Sequence, residues 1–308
     1  MGGGPSEIAV ANAPCSWGIL EGFDCDQDRP RYSQVLDEMA LAGYAGTELG
    51  DWGFMPADAQ ALSRALEQRN LALVGGFVPV VLSDASLHAD GEAAAVRTAA
   101  LLAECGSPSR GGGPFLVLAD EGGPARMSVA DRIGQEHGLS DEQWRVLARG
   151  AERIARAVRE RTGLRTVFHP HCGTFVETPA EVERLLELTD ADLIGLCFDT
   201  GHYTYGGSDA LDGLRRFGDR VRHVHFKDCD GEILALARSN GWDYVEAVRR
   251  GVFCELGKGV VDFASILEEL RRRDYDGWIV VENDVAPATG TPLEGARRDR
   301  AFLRRLGI

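Results

Sequence analysis

Short apolar runs alternate along this chain with longer stretches in which apolar residues recur every three or four positions, the signature of buried strands alternating with amphipathic helices. The pattern predicts a first strand over Ile8–Trp17, a helix over Arg31–Ala42 ending at Gly43, and a short strand over Gly46–Gly50. A helix over Ala57–Arg69 and a strand over Leu71–Val78 follow, then an alanine-rich helix over Ser86–Cys105 and a strand over Pro114–Ala119. Ser140 and Gln143 stand at capping-box spacing ahead of a helix reaching Arg161. Thr178-Pro179-Ala180-Glu181 repeats the device, with proline at the first helical position of a helix ending near Leu188. Helices over Ser208–Phe217, Phe263–Arg273 and Pro292–Leu306 complete the alternation.

Four runs in the second half carry more than fold information: Leu164–His171, Leu193–His202, Val221–Asp228 and Trp278–Asp284. Each reads as a strand buried on both faces, and each ends in a side chain able to bind a metal. Roughly eight β/α units are present, the number that closes a parallel sheet. The predicted fold class is therefore α/β, a (β/α)8 TIM barrel forming a single domain over residues 1–308. No GxGxxG follows the first strand, so an open dinucleotide-binding sheet has no support. Right-handed crossovers bring every strand's C-terminal end to one face, where barrel active sites are built. Two long connections, Asp120–Leu139 and Cys229–Val261, leave from that face and are expected to overhang it as lid loops or subunit contacts. The second has a helix expected at Trp242–Arg249.

Charge narrows the partners. A formal net charge of −15 over 308 residues argues against nucleic acid or an anionic membrane, which need a basic footprint. The seven cysteines (Cys15, Cys25, Cys105, Cys172, Cys197, Cys229 and Cys254) are odd in number and form no CxxC pair, which argues against a disulfide framework. MGGGPSEIAV lacks the basic and long apolar segments of a signal peptide, and the apolar stretch Leu71–Leu82 is too short and glycine-broken to span a bilayer. A cytoplasmic protein is expected.

The strand ends supply the candidate chemistry. His169 and His171 are two apart, so strand alternation aims both imidazoles inward. Asp199 follows an apolar run where an unpaired carboxylate is costly; capping the next segment is its alternative use. His223, His225 and Lys227 share one face, and a buried ammonium needs an anionic partner or a chemical task. Glu282, with Asn283 and Asp284, ends the last strand. Imidazoles and carboxylates together suit a divalent ion, Mn2+ or Co2+ foremost, with Fe2+, Zn2+ and Mg2+ as alternatives, better than Ca2+.

Several segments resemble the xylose-isomerase-like sugar isomerase and epimerase barrels, and within them the inosose dehydratases. They are Ala13-Pro14-Cys15-Ser16-Trp17-Gly18, the segment from Gly43 to Gly50, His169-Pro170-His171-Cys172-Gly173-Thr174, Asp199-Thr200-Gly201-His202, His223-Val224-His225-Phe226-Lys227-Asp228, the segment from Gly257 to Phe263, and that from Gly277 to Asn283. The resemblance implies a metal set at His169, Asp199, His225 and Glu282, with His171 as the other candidate for the first ligand. Most members carry glutamate where this chain has His169, so the symmetric pair of glutamates used for epimerisation is absent and dehydration is favoured. The implied activity is a metal-dependent lyase removing water from a polyhydroxy ketone such as 2-keto-myo-inositol. His171 or Glu282 takes the α-proton, and His202 or Lys227 protonates the leaving hydroxyl. Trp17, Glu48 and His223 are placed as substrate contacts, Glu48 having a structural carboxylate as its alternative. A sugar or keto-sugar isomerase or epimerase, a 3-keto-glycoside eliminase and a non-enzymatic sugar-binding barrel are the rival readings. The long connections and terminal helix could support a homo-oligomer.

Overall fold

A computed structural model describes residues 8–20, 30–106, 113–129, 133–284 and 291–308. The expectations for the first seven residues and for Cys25 fall outside them; the six described cysteines are all free thiols. Eight strands form the barrel: β1 (Ala9–Asn12), β2 (Gly46–Glu48), β3 (Ala72–Val80), β4 (Phe115–Asp120), β5 (Arg165–Phe168), β6 (Ile194–Asp199), β7 (Val221–Phe226) and β8 (Trp278–Val281). Each pairs in parallel with its sequence neighbour, and β1 pairs with β8, so the sheet closes as predicted. Eight helices surround it: α1 (Tyr32–Ala42), α2 (Ala59–Glu67), α3 (His88–Cys105), α4 (Asp141–Thr162), α5 (Pro179–Leu188), α6 (Ala210–Phe217), α7 (Phe263–Arg272) and α8 (Pro292–Arg305).

Alternation along the strands divides the core. Phe115 and Val117 of β4 meet Val167 and Cys197 inside the barrel, whereas Leu116 and Leu118 join the larger apolar layer under the helices. The same alternation buries Val224, Phe226, Ile279 and Val281 outward and leaves the intervening residues to the interior. Both predicted capping boxes form: Ser140 and Thr178 each accept the backbone N–H three residues on, and Gln143 and Glu181 reciprocate.

Two of the strand predictions overrun into a proline segment. The first strand stops at Asn12, and Pro14–Trp17 coil into a 3-10 turn closed by Gly18 at φ +77°. Pro14 has no N–H to give a ladder, and its fixed φ suits the first position of a helical turn, which it occupies here. The fifth strand likewise stops at Phe168, because Pro170 interrupts the donor series two residues later.

The long connections are structured. The described part of 120–139 includes a helical turn, Pro124–Met127, in which the buried Arg126 guanidinium donates to the Thr174 carbonyl (2.7 Å) and to Glu181 (3.0 Å). The connection after β7 folds into two helices, Gly231–Asn240 and Tyr244–Arg249, beside an antiparallel ribbon of Asp228–Cys229 with Phe253–Cys254. The second helix was expected; the first was not. Asp228 pins the base of this insert by accepting the N–H groups of Cys229, Gly257, Gly259 and Val261. No described helix is long and apolar enough to cross a membrane.

Candidate active site

At the C-terminal ends of the strands lies a cavity of about 150 Å3 bounded by the described residues. His169, His171, His202, His225, Lys227, Glu48, Glu282 and Asp284 all reach its wall, so residues separated by more than two hundred positions converge there. Apolar side chains such as Ile19, Phe77 and Met127 form another part of the wall.

Asp199 is used on both sides of its carboxylate. Oδ1 accepts the His202 N–H at 2.8 Å and so caps a short unpredicted helix, Thr200–Tyr205. Oδ2 is buried and makes no hydrogen bond, as is true of both ring nitrogens of His169 and of His225 Nδ1. These orphaned atoms lie together: Asp199 Oδ2 is 3.6 Å from His169 Nε2 and 3.7 Å from His225 Nδ1. His225 Nδ1 in turn lies 3.3 Å from Glu282 Oε1. Buried polar atoms left unpaired are costly. Ligand atoms around an ion with bonds of about 2.0–2.2 Å stand roughly 3.0–3.5 Å apart, close to the spacing seen here. The donor set therefore fits a divalent cation. Among the described residues, His202 comes close enough to share an ion with His169, Asp199 and Glu282, whereas His171 belongs to no such cluster. His171 Nδ1 instead lies 2.8 Å from the Cys172 carbonyl, which makes that nitrogen the N–H and leaves the lone pair on Nε2.

Beneath the cluster, Glu48 Oε1 accepts from His223 Nε2 at 2.7 Å and from His225 Nε2 at 3.0 Å. Burial alone would raise this carboxyl, but the two imidazoles outweigh it and hold it well below the usual carboxylate range. A register shift between Thr47 and Glu48 re-aims the side chain. Gly75 opposite leaves it room, since a Cβ there would sit 2.8 Å from Oε1.

Lys227 is the only cation on the cavity wall among the described residues. Its Nζ is 2.7 Å from Asp284 Oδ2, 3.1 Å from Glu282 Oε2 and 3.0 Å from His202 Nε2, one acceptor for each N–H. Burial would depress its pKa; Asp284, Glu282 and Asp199 together raise it well above the ordinary value instead. Gly201 clears a path for the stem, since a Cβ there would meet Lys227 Cγ at 2.5 Å. Both nitrogens of His202 are engaged, Nε2 by Lys227 and Nδ1 by Cys172 Sγ at 3.1 Å. Burial first, then His171 and Lys227, hold His202 well below the usual imidazole range and thus neutral.

Two expected substrate contacts are corrected. Trp17 turns away from the cavity with its 3-10 turn, and its Nε1 donates to Glu38 of α1 at 2.6 Å. His223 is buried one layer below the cavity, between Glu48 and Phe115, and does not reach the wall. Glu48 does reach the wall, with its Oε1 accepting from the two imidazoles. Tyr244 was missed: it lies in the insert, lines the cavity, and donates to Asp284 Oδ2 at 3.0 Å. Asp284 was visible in outline, because alternation from Glu282 aims it the same way.

Comparison with known proteins agrees with this architecture. The chain is 35% identical over 308 residues to an inosose dehydratase of Geobacillus kaustophilus (strain HTA426), covering 98% of this chain and 95% of that protein. An inosose dehydratase of Lacticaseibacillus casei is 34% identical, with 96% of each chain covered. Among solved structures, an L-ribulose 3-epimerase superposes with a TM-score of 0.69 at 16% identity, over 97% of this chain and 94% of that one. The model of the family described as "Xylose isomerase-like TIM barrel" matches residues 36–306. With that match and the closed eight-stranded barrel, the chain belongs to the xylose isomerase-like TIM barrel family.

Proposed function

We propose that this chain is a divalent-metal-dependent dehydratase acting on an uncharged polyhydroxy ketone such as 2-keto-myo-inositol. The observation that carries the reading is the set of buried, unpaired donor atoms on His169, Asp199 and His225 beside Glu282, of which all but Asp199 line the cavity with His171 and Lys227. The near-full-length likeness to inosose dehydratases selects dehydration among the reactions such a set can serve. His169, Asp199, His225 and Glu282 would hold the ion, with Mn2+ or Co2+ the best matched. When bound there, it would act as a Lewis acid toward a carbonyl or hydroxyl oxygen and acidify the α-carbon.

His171 takes the α-proton on Nε2, the nitrogen left basic by the Cys172 carbonyl. Glu282 is the less suited base, since Lys227 and His225 flank its two oxygens. Loss of the proton leaves an enolate, whose electrons then form the new double bond as the β C–O bond breaks and the hydroxyl leaves as water, carrying a proton from Lys227. The enol so formed becomes the diketone. His202 supports Lys227 rather than touching substrate, both its nitrogens being taken.

The wall also speaks to substrate class. Carboxylates from Glu48, Asp51, Asp120, Glu121, Glu282 and Asp284 face it against the single ammonium of Lys227, which disfavours a phosphorylated or carboxylated ligand. Purified protein incubated with 2-keto-myo-inositol and Mn2+ or Co2+ is expected to form an ultraviolet-absorbing diketone, to stop on chelation, and to resume when metal is restored. Turnover to an epimer without that product would move the assignment to an epimerase of the same fold.

A further inference from the structure

The insert between β7 and α7 contributes a residue to the cavity that no strand end supplies. Tyr244 begins the helix Tyr244–Arg249, which Asp243 caps by accepting the Glu246 N–H at 2.8 Å. Ala247, Val248, Val252 and Phe253 of the insert pack with Cys172 and Tyr205 from neighbouring loops in the apolar cluster that holds the Tyr244 ring. With Asp228 holding the two ends of the insert together, the phenol is a fixed donor rather than part of a swinging flap. Its ring also packs against His171, centroids 5.3 Å apart.

We infer that Tyr244 is a positioning residue for the proton-donating side of the reaction, acting through Asp284 on Lys227. The inference rests on the dehydratase reading. Asp284 Oδ2 accepts two donors, the Tyr244 hydroxyl at 3.0 Å and the Lys227 ammonium at 2.7 Å. Two donors on one buried oxygen share its charge, so the phenol limits how strongly Asp284 draws the ammonium. Lys227 can then stay equidistant from Glu282 and His202, 3.1 and 3.0 Å away, with a proton to release toward a leaving hydroxyl. Without the phenol, Asp284 has only the ammonium to satisfy that oxygen and pulls it out of this arrangement. His171 keeps its own bond to the Cys172 carbonyl, so α-proton removal is left intact.

The two half-reactions are separable in D2O. Deuterium appearing in recovered ketone reports α-proton removal, and diketone reports C–O cleavage. Tyr244→Phe is expected to lower kcat for diketone at least about tenfold, change KM less than about twofold, and raise the ratio of exchange to elimination at least about tenfold. Val248→Ala, which loosens the same insert without touching a polar group, is expected to leave that ratio at the wild-type value. A wild-type ratio in Tyr244→Phe, or an equal rise in Val248→Ala, would overturn the inference while leaving the dehydratase reading in place. A wild-type enzyme that forms no diketone at all would instead remove the reading on which it rests.

Discussion

Glu48 and His225 are joined by a hydrogen bond of 3.0 Å from the ring Nε2–H to the carboxylate, and that bond decides which nitrogen His225 turns to the cavity. With Nε2 as the donor, Nδ1 carries the lone pair whenever the ring is neutral, as a metal ligand must be, and it is Nδ1 that lies unpaired 3.7 Å from Asp199 and 3.3 Å from Glu282. Burial would lower the ring's pKa, but the carboxylates around it raise it, so a metal binding there displaces a proton. A carboxylate holding a ligand histidine in one tautomer typically contributes 10–100-fold in metal affinity. Glu48→Gln is expected to weaken Mn2+ or Co2+ binding by about that factor, measured by calorimetry, with the circular dichroism spectrum unchanged. Unchanged affinity would remove Glu48 from the metal account.

Gly75 gives an independent handle on the same contact. A methyl group there would stand 2.8 Å from the Glu48 carboxylate and force it to move. Gly75→Ala is therefore expected to weaken metal binding although residue 75 is no ligand, and to lower stability by about 1–3 kcal/mol through overpacking. Thermal unfolding and calorimetry on one preparation would check both; full metal affinity would contradict it.

Trp17 tests the corrected first strand. Its indole N–H donates to Glu38, away from the cavity. Trp17→Phe should cost about 1 kcal/mol of stability through the lost hydrogen bond and leave KM unchanged. A large rise in KM would return Trp17 to the substrate.

What could be read from the residues, and what could not, follows from the range of the forces involved. Capping by Ser140 and Thr178, the outward packing of Leu116 and Leu118, and the inward aim of His169, His225 and Glu282 are local or strictly periodic, and all were legible. The direction of Trp17 was not, because a 3-10 turn after Pro14 abolishes the two-residue period. His171 reaches the cavity as expected, yet from a turn in which its N–H bonds to the Val176 carbonyl rather than from a strand. The helix Gly231–Asn240 was hidden behind a glycine at its first position, and Tyr244 acquires its place from an insert whose packing no local pattern encodes.

Asp299 of α8 predicts a pH dependence of stability away from the cavity. Burial first, then the neighbouring Glu255, push its carboxyl up to about 7, while the Leu256 N–H donates to it at 2.8 Å. In the unfolded chain the group titrates near its ordinary value of about 3.9. Its folded pKa is the higher one, so its stabilising contribution is complete below about pH 4 and is lost as pH rises through about 7. Asp299→Asn cannot ionise. It should be more stable than wild type at pH 8, by at most roughly 4 kcal/mol, with the gap shrinking toward pH 5. Melting temperatures of both proteins across that range would show it; a constant gap would refute the assignment.

The account turns on whether histidines and carboxylates from four strand ends gather around one cation. Crystals grown with Mn2+ and measured for anomalous scattering at the manganese edge answer this directly. The prediction is a single strong peak about 2.0–2.2 Å from His169 Nε2, Asp199 Oδ2, His225 Nδ1 and a Glu282 oxygen. A map with no peak there, or a peak held by other residues, would contradict it.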